Sequence, residues 1–229
     1  MNPYWLAFAE QVCSTARLMD RLGLTAGTSG NISMRIPGMP YAVITPSGMP
    51  YQMLTPNDMT VVDFAGQRIA GDHIPSSETP MHARLYSAFD EVNAVVHTHS
   101  LYATAFSVVR KSIPFICLEG LGVNALSVPV AEYALPGTPD LALSAEQTFQ
   151  RNPGVQAILL PNHGLLTVGK TLDEAFSLAM NVEREAQVYV IASSIGTPVL
   201  LGAAQLEQIN ATYAEFHRKT PDRSIKVMK

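Results

Sequence analysis

The sequence predicts one mixed α/β domain, and three observations carry that expectation. Apolar β-branched runs and helical apolar patterns intermix along the whole chain, without the strict alternation of a parallel βαβ array. The 229 residues are 47% hydrophobic, which is ample for one core. No internal repeat and no low-complexity linker divides them. The expected unit is therefore residues 1–229, with a flexible tail from about residue 218.

Asn2-Pro3 reads as a helix start, with Asn2 as cap and Pro3 in the first turn. That helix should run to about Leu22 and stop at Gly23. "GTSGNISMR" follows, rich in Gly, Ser and Asn. "YAVITPSGMPY" is a strand running into a Pro/Gly turn, and "MTVVDFAGQRIAG" a hairpin turning at Ala65-Gly66. "IPSSETPMHARLYSAF" is a loop entering a helix, with Ser76 or Ser77 as its cap. Residues 92–97, "VNAVVH", form a buried strand, and "LYATAFSVVR" the helix after it. A loop-and-strand region extends from "SIPFICLEG" to "YALPGT". "ALSAEQTFQRN" is helical, and "VQAILLPNHGLLTVG" is two strands around a turn. Thr171 caps a long helix whose first turn holds Asp173 and Glu174, well placed against its dipole. A shorter helix over "AAQLEQINATYAEFHRK" closes the chain.

Net charge is −4, and the basic residues gather only in the short tail "HRKTPDRSIKVMK", so nucleic acid is not an expected partner. Charged residues are only 15% of the chain, which hints at surface buried between subunits. Cys13 and Cys117 lie in apolar surroundings and read as buried thiols rather than a disulfide framework. The N-terminus lacks a basic start followed by an uninterrupted apolar stretch, and no run is long enough to span a membrane. A soluble cytoplasmic protein is expected.

Six histidines are present, and two of them, His97 and His99, end the strand in "AVVHTHS". Strand side chains alternate faces, so the two imidazoles point to one side and can grip one transition metal. Two hydrogen-bonded histidines at a strand end explain this stretch alone equally well. His163 breaks the tie, because "AILLPNHGLL" also delivers it to a tight turn at a strand end. Three histidines with a fourth position left free form a catalytic rather than a structural pattern. His82 falls inside a helix, four residues after Glu78, and reads as a residue behind the ligands or in the core. His73 and His217 read as surface residues. Glu78 is either a helix N-terminal acid or a metal-adjacent acid/base. "GTSGN", "TPSG" and the Ser76-Ser77 pair supply small hydroxyl-bearing turns that can form a phosphate nest.

"GTSGNISMR", "ITPSGMPY", "PSSET", "AVVHTHS", "SIP", "YALPGT" and "LLPNHGLLTVGKTLDEAF" occur in that order. As an ordered set they resemble the class II aldolase/adducin family over roughly residues 5–200. The resemblance implies an α/β/α layered fold around a mostly antiparallel central sheet. It implies a divalent metal, usually Zn2+ with Mn2+ or Co2+ as substitutes, held by His97, His99 and His163. Glu78 would touch the metal without substrate and then serve as acid/base. Phosphate binding would fall to Gly30, Asn31, Ser47, Gly48, Ser76 and Ser77. A homotetramer with sites between subunits is implied as well.

The activity implied is reversible cleavage of a ketose 1-phosphate, fuculose 1-phosphate-like or a 5-deoxypentulose 1-phosphate, to dihydroxyacetone phosphate and an aldehyde. Epimerase relatives carry Asp where this chain has Glu78, which favours the aldolase. One departure stands out: the family's aldolases place a tyrosine after "SIP" where this chain has Leu118. Glu119 is the expected replacement as proton donor, ahead of Tyr133 and Tyr213. The same metal site could instead serve a methylthioribulose-1-phosphate dehydratase, a sugar-phosphate epimerase or a decarboxylase. An adducin-like interaction module ranks lowest, since it would be expected to have broken the histidine set.

Overall fold

The computed structural model describes residues 2–117 and 126–219. The chain opens with helix α1, Pro3–Arg21. Asn2 caps it, its side-chain oxygen accepting from the Tyr4 N–H at 2.9 Å. Ala9, Val12, Cys13, Ala16 and Met19 recur at three- and four-residue steps and make its buried stripe. Strands β1 (Asn31–Arg35), β2 (Tyr41–Ile44), β3 (Thr60–Asp63) and β4 (Arg68–Ala70) follow as an antiparallel meander. Helix α2 (Thr79–Ala88), strand β5 (Ala94–Thr98) and helix α3 (Leu101–Val109) come next, then the two-residue strands β6 (Ile113–Pro114) and β7 (Ser127–Val128). Helix α4 (Pro139–Arg151) leads into the hairpin β8 (Ala157–Leu160) and β9 (Gly164–Gly169). The long helix α5 (Leu172–Ile195) is capped by Thr171, whose hydroxyl accepts from Glu174 N–H at 3.1 Å. Helix α6 (Ala203–Lys219) is the last element described.

Seven strands form one sheet in the order β4-β3-β2-β1-β5-β9-β8, and each neighbouring pair is antiparallel. The strand period of two divides its apolar side chains between two cores. Val43, Val96, Leu159 and Leu165 face one side, where the buried residues of α1, α3 and α5 pack. Ile44, Val95, Ile158 and Leu166 face the other, beneath α2 and α4. The result is the expected α/β/α layering.

Several expectations need correction. The segment 31–35 had no strand assigned to it, yet it is β1, the central strand of the sheet. Its polar positions Asn31 and Ser33 are buried against α2 rather than facing water, so composition disguises the strand. Neither Ser76 nor Ser77 caps α2; Glu78 holds that position. Ser76 is drawn away because its N–H bonds Thr45 O at 3.1 Å and its hydroxyl accepts from the Glu78 N–H. Strand β5 begins and ends a residue or two later than 92–97. Cys13 is a buried free thiol, whereas Cys117 is only half-buried. His73 is partly exposed at the surface, as expected, and pairs there with Asp58 at 2.9 Å. Among the described residues, no helix is long and apolar enough to cross a membrane. Most of the tail expected from about residue 218 lies outside the described residues.

Candidate metal centre and active site

The site sits where β1, β5 and β9 end under the start of α2. His97 is the next-to-last residue of β5, paired with Asn31 on one side and Leu166 on the other. Directly opposed residues in an antiparallel pair share a face, so Asn31 and His97 both look toward α2. His99 follows two residues later, its N–H anchored on Leu24 O at 3.1 Å. His163 occupies the three-residue turn between β8 and β9. Asn162, in the left-handed conformation at φ 55°, tightens that turn, and the Arg110 guanidinium donates to its side-chain oxygen. Gly30 is required at the neck of β1, because a Cβ there would sit 2.7 Å from His97 O.

The ligand atoms converge. His97 Nε2 lies 3.0 Å from His99 Nε2 and 3.2 Å from His163 Nε2. Glu78 closes the set, with Oε2 3.1 Å from His97 Nε2 and Oε1 3.2 Å from His163 Nε2. These spacings approach the edge of about 3.3 Å expected for ligands around a tetrahedral zinc. Protonation states favour the same reading. His97 Nδ1–H donates to Leu165 O at 2.9 Å, which leaves Nε2 as a bare lone pair. Burial holds the His97 imidazole below its ordinary range, and the neighbouring His99 adds to this. Burial likewise pushes His99 and His163 down to about 4, each helped by a neighbouring imidazole. Burial alone would raise the Glu78 carboxyl; His97, His163 and the Asn31 amide outweigh it and hold it below the usual range. The bare His97 lone pair and the Glu78 carboxylate therefore face one another, with His99 and His163 beside them. A cation between them satisfies every one, so the residues fit a divalent metal.

Beside the metal ligands opens a cleft of about 170 Å³. Gly30, Asn31, Ser47, Gly48, Ser76, Ser77, Glu78, His99 and His163 all line it, and His97 lies behind them, fully buried. The turn of Ser47 is tied to that of Ser76 by Ser47 N–H to Ile74 O at 2.9 Å and by the Pro46–Pro75 bridge. That bonding uses the Ser47 amide and leaves its hydroxyl for a ligand. The Asn31 side chain is engaged by Glu78 and His82, and its backbone pairs with His97 in the sheet.

Thr28, Ser29 and Pro136 also line the cleft and were not singled out in the sequence. Thr28 and Ser29 belong to "GTSGN", so their hydroxyls were the available signal. Tyr51 was also missed; its buried hydroxyl donates to Gly30 O at 2.5 Å, with Ser29 O at 3.1 Å beside it, and fixes this turn from behind. Glu119, Leu118 and the Tyr213 side chain lie outside the described residues. Tyr133 is exposed beside Arg110 and does not line the cleft.

Fold and site together define a metal-binding enzyme scaffold. Residues 10–190 match the Class II Aldolase and Adducin N-terminal domain, and the chain belongs to the class II aldolase/adducin family. It is 34% identical over 200 residues to the 5-deoxy-D-ribulose 1-phosphate aldolase of Bacillus thuringiensis serovar kurstaki, covering 87% of this chain and 92% of that one. It is 38% identical over 192 residues to the L-fuculose phosphate aldolase of Escherichia coli K12, covering 83% and 86%. A solved L-fuculose 1-phosphate aldolase matches with a TM-score of 0.84 at 32% identity, over 91% of this chain and 96% of that one.

Proposed function

We propose that this chain, acting as one domain, is a divalent-metal-dependent aldolase that reversibly cleaves a ketose 1-phosphate into dihydroxyacetone phosphate and an aldehyde. The observation that carries this is one cleft holding both the three-histidine, one-glutamate cluster and the hydroxyl-lined turns of Ser47, Ser76 and Ser77. His97, His99 and His163 would hold the metal, with Glu78 beside them. A donor set of three imidazoles suits zinc, with manganese or cobalt as substitutes. A bound divalent ion supplies the Lewis acidity that polarises a carbonyl.

The chain's own residues supply the rest. Gly30, Asn31, Ser47, Gly48, Ser76 and Ser77 take the phosphate, and its binding fixes the reacting carbons against Glu78. Breaking the C3–C4 bond leaves the electron pair on C3 of the ketone half. In the synthetic direction the Glu78 carboxylate removes a proton from that carbon; in cleavage Glu78 takes up a proton from solvent as substrate binds and returns it to C3. The C4 hydroxyl loses its proton as the aldehyde forms, and Glu119 is the residue we assign to receive it. The family tyrosine is replaced by Leu118, which favours a 5-deoxypentulose 1-phosphate over fuculose 1-phosphate. We assign a cytoplasmic homotetramer with the sites between subunits, in keeping with exposed apolar side chains such as Leu101, Val109, Ile195 and Val199.

The test is a panel of 5-deoxyribulose, fuculose, rhamnulose and methylthioribulose 1-phosphates given to zinc-loaded protein, with dihydroxyacetone phosphate detected by a coupled reductase. Its release is the expected result, and the fastest sugar names the substrate. Consumption of a sugar without it would overturn the aldolase in favour of dehydration, epimerisation or decarboxylation.

A further inference from the structure

A line of buried polar side chains runs from the metal centre between α2 and β1. Glu78, His82 and Tyr86 recur every four residues on one face of α2 and its cap. Asn31 and Ser33, two apart on β1, share the face opposite. The two sets interleave. Asn31 Nδ2 donates to Glu78 Oε2 at 2.9 Å, and His82 Nε2 lies 2.6 Å from Asn31 Oδ1. Ser33 Oγ is 2.6 Å from His82 Nδ1 and 2.7 Å from Tyr86 Oη. None of the five is more than 5% exposed, so water is not available to replace a missing partner.

Chemistry at the Glu78 end sets the direction of every bond in the line. An ionised carboxylate only accepts, so Asn31 must turn its NH2 toward it and its Oδ1 toward His82. Oδ1 also only accepts, which places the His82 proton on Nε2. Nδ1 is then an acceptor, Ser33 donates to it, and Tyr86 donates to Ser33. All the donors point toward Glu78, an alignment in which each bond polarises the next. The opposite amide orientation would press Asn31 Oδ1 against Glu78 Oε2, two acceptors with no proton between them. Burial keeps the His82 ring neutral, pushing it down to about 3.

We infer that His82 is a positioning residue for the aldol reaction: its Nε2–H locks the Asn31 amide in the orientation that clamps Glu78 Oε2 beside His97 and keeps Oε1 toward His163. Its role in turnover rests on the function proposed above; the clamp itself rests on the hydrogen-bond geometry. Without that N–H, the Asn31 amide is free to turn over, and Glu78 loses the contact that fixes its carboxylate.

Two substitutions separate the clamp from simple packing. His82→Gln keeps an N–H near the position of Nε2. His82→Asn reaches only as far as Nδ1, so it keeps the Ser33 contact and loses Asn31. On the zinc-loaded full chain, His82→Asn is expected to lower kcat by about 10- to 100-fold. KM and zinc content should stay within about twofold of wild type, the pattern of an interaction used in the transition state. His82→Gln should restore most of kcat. If both variants lower Tm alike and leave kcat per zinc-bearing molecule unchanged, His82 only packs and the inference falls.

A second readout needs no activity. Nitrogen-15 spectra of the zinc-loaded wild type should show His82 as the neutral Nε2–H tautomer, with slow exchange of the Asn31 amide protons. An Nδ1–H tautomer would overturn the clamp. This measurement decides alone where His82→Asn does not fold. It also stands if the wild type cleaves no ketose 1-phosphate, an outcome that would remove the proposed activity instead.

Discussion

Gly164 backs directly onto the Thr98 carbonyl, so closely that a Cβ at residue 164 would overlap that oxygen and crowd the His97 ring at 3.3 Å. This contact sets the spacing of β5 and β9 at the point where His97 and His163 meet. Gly164→Ala must push the two strands apart. The expected cost is about 1–3 kcal/mol of stability, typical of overpacking, together with weaker zinc binding. Denaturant melts of the metal-free protein and a zinc titration would check this. Unchanged zinc affinity would show that the strand spacing does not set the cluster.

His97→Ala removes the most buried imidazole of the cluster. Zinc content and activity should fall together, with the loss in zinc affinity exceeding the roughly 100-fold upper range for residues that only support a ligand. Metal analysis after gel filtration, on the same sample used for kinetics, would detect the two losses. Full zinc content with lost activity would exclude His97 as a ligand.

Glu78→Gln preserves size and leaves the three histidines in place. Zinc content should hold, while kcat falls by about 100- to 10,000-fold, the range for a positioned acid/base. Turnover at the wild-type rate would remove Glu78 from the mechanism.

Acid should weaken the metal-free protein in a defined window. His99 and His163 are pushed down to about 4 and His82 to about 3, from an ordinary value of 6.5. Between those values the unfolded chain binds protons that the folded chain refuses, so stability rises with pH there. Glu78, held below its ordinary range, acts in the same direction. Tm of the metal-free protein should be nearly flat above about pH 7 and fall steadily from pH 6.5 toward pH 4. A Tm that rises on acidification across this window would contradict neutral, buried imidazoles.

Much of this molecule is legible in its sequence, for local reasons. Asn2-Pro3, Thr171 and the Ala65-Gly66 turn announce themselves because capping and turn geometry depend on a few adjacent residues. His97 and His99 are readable because a strand's period of two fixes their common side. What escaped depends on partners distant in sequence. Strand β1 looks like a polar loop until α2 supplies His82 and Tyr86 to satisfy Asn31 and Ser33. The pattern Glu78, His82, Tyr86 is visible in the chain, but its meaning needs the strand that faces it. Tyr51 gives no local sign either, since its hydroxyl bonds a backbone more than twenty residues away. The cap of α2 passed from the serines to Glu78 because Thr45, on another segment, claims Ser76.

The central claim is that the three histidines and Glu78 hold a metal needed to cleave a ketose 1-phosphate. The most direct measurement strips the purified protein of metal, adds zinc back in sub-stoichiometric steps and follows dihydroxyacetone phosphate released from 5-deoxyribulose 1-phosphate. The expected result is no release from the stripped protein and a linear recovery that breaks at one zinc per chain. Full release from protein that contains no metal, or none at any zinc level with every sugar of the panel, would contradict it.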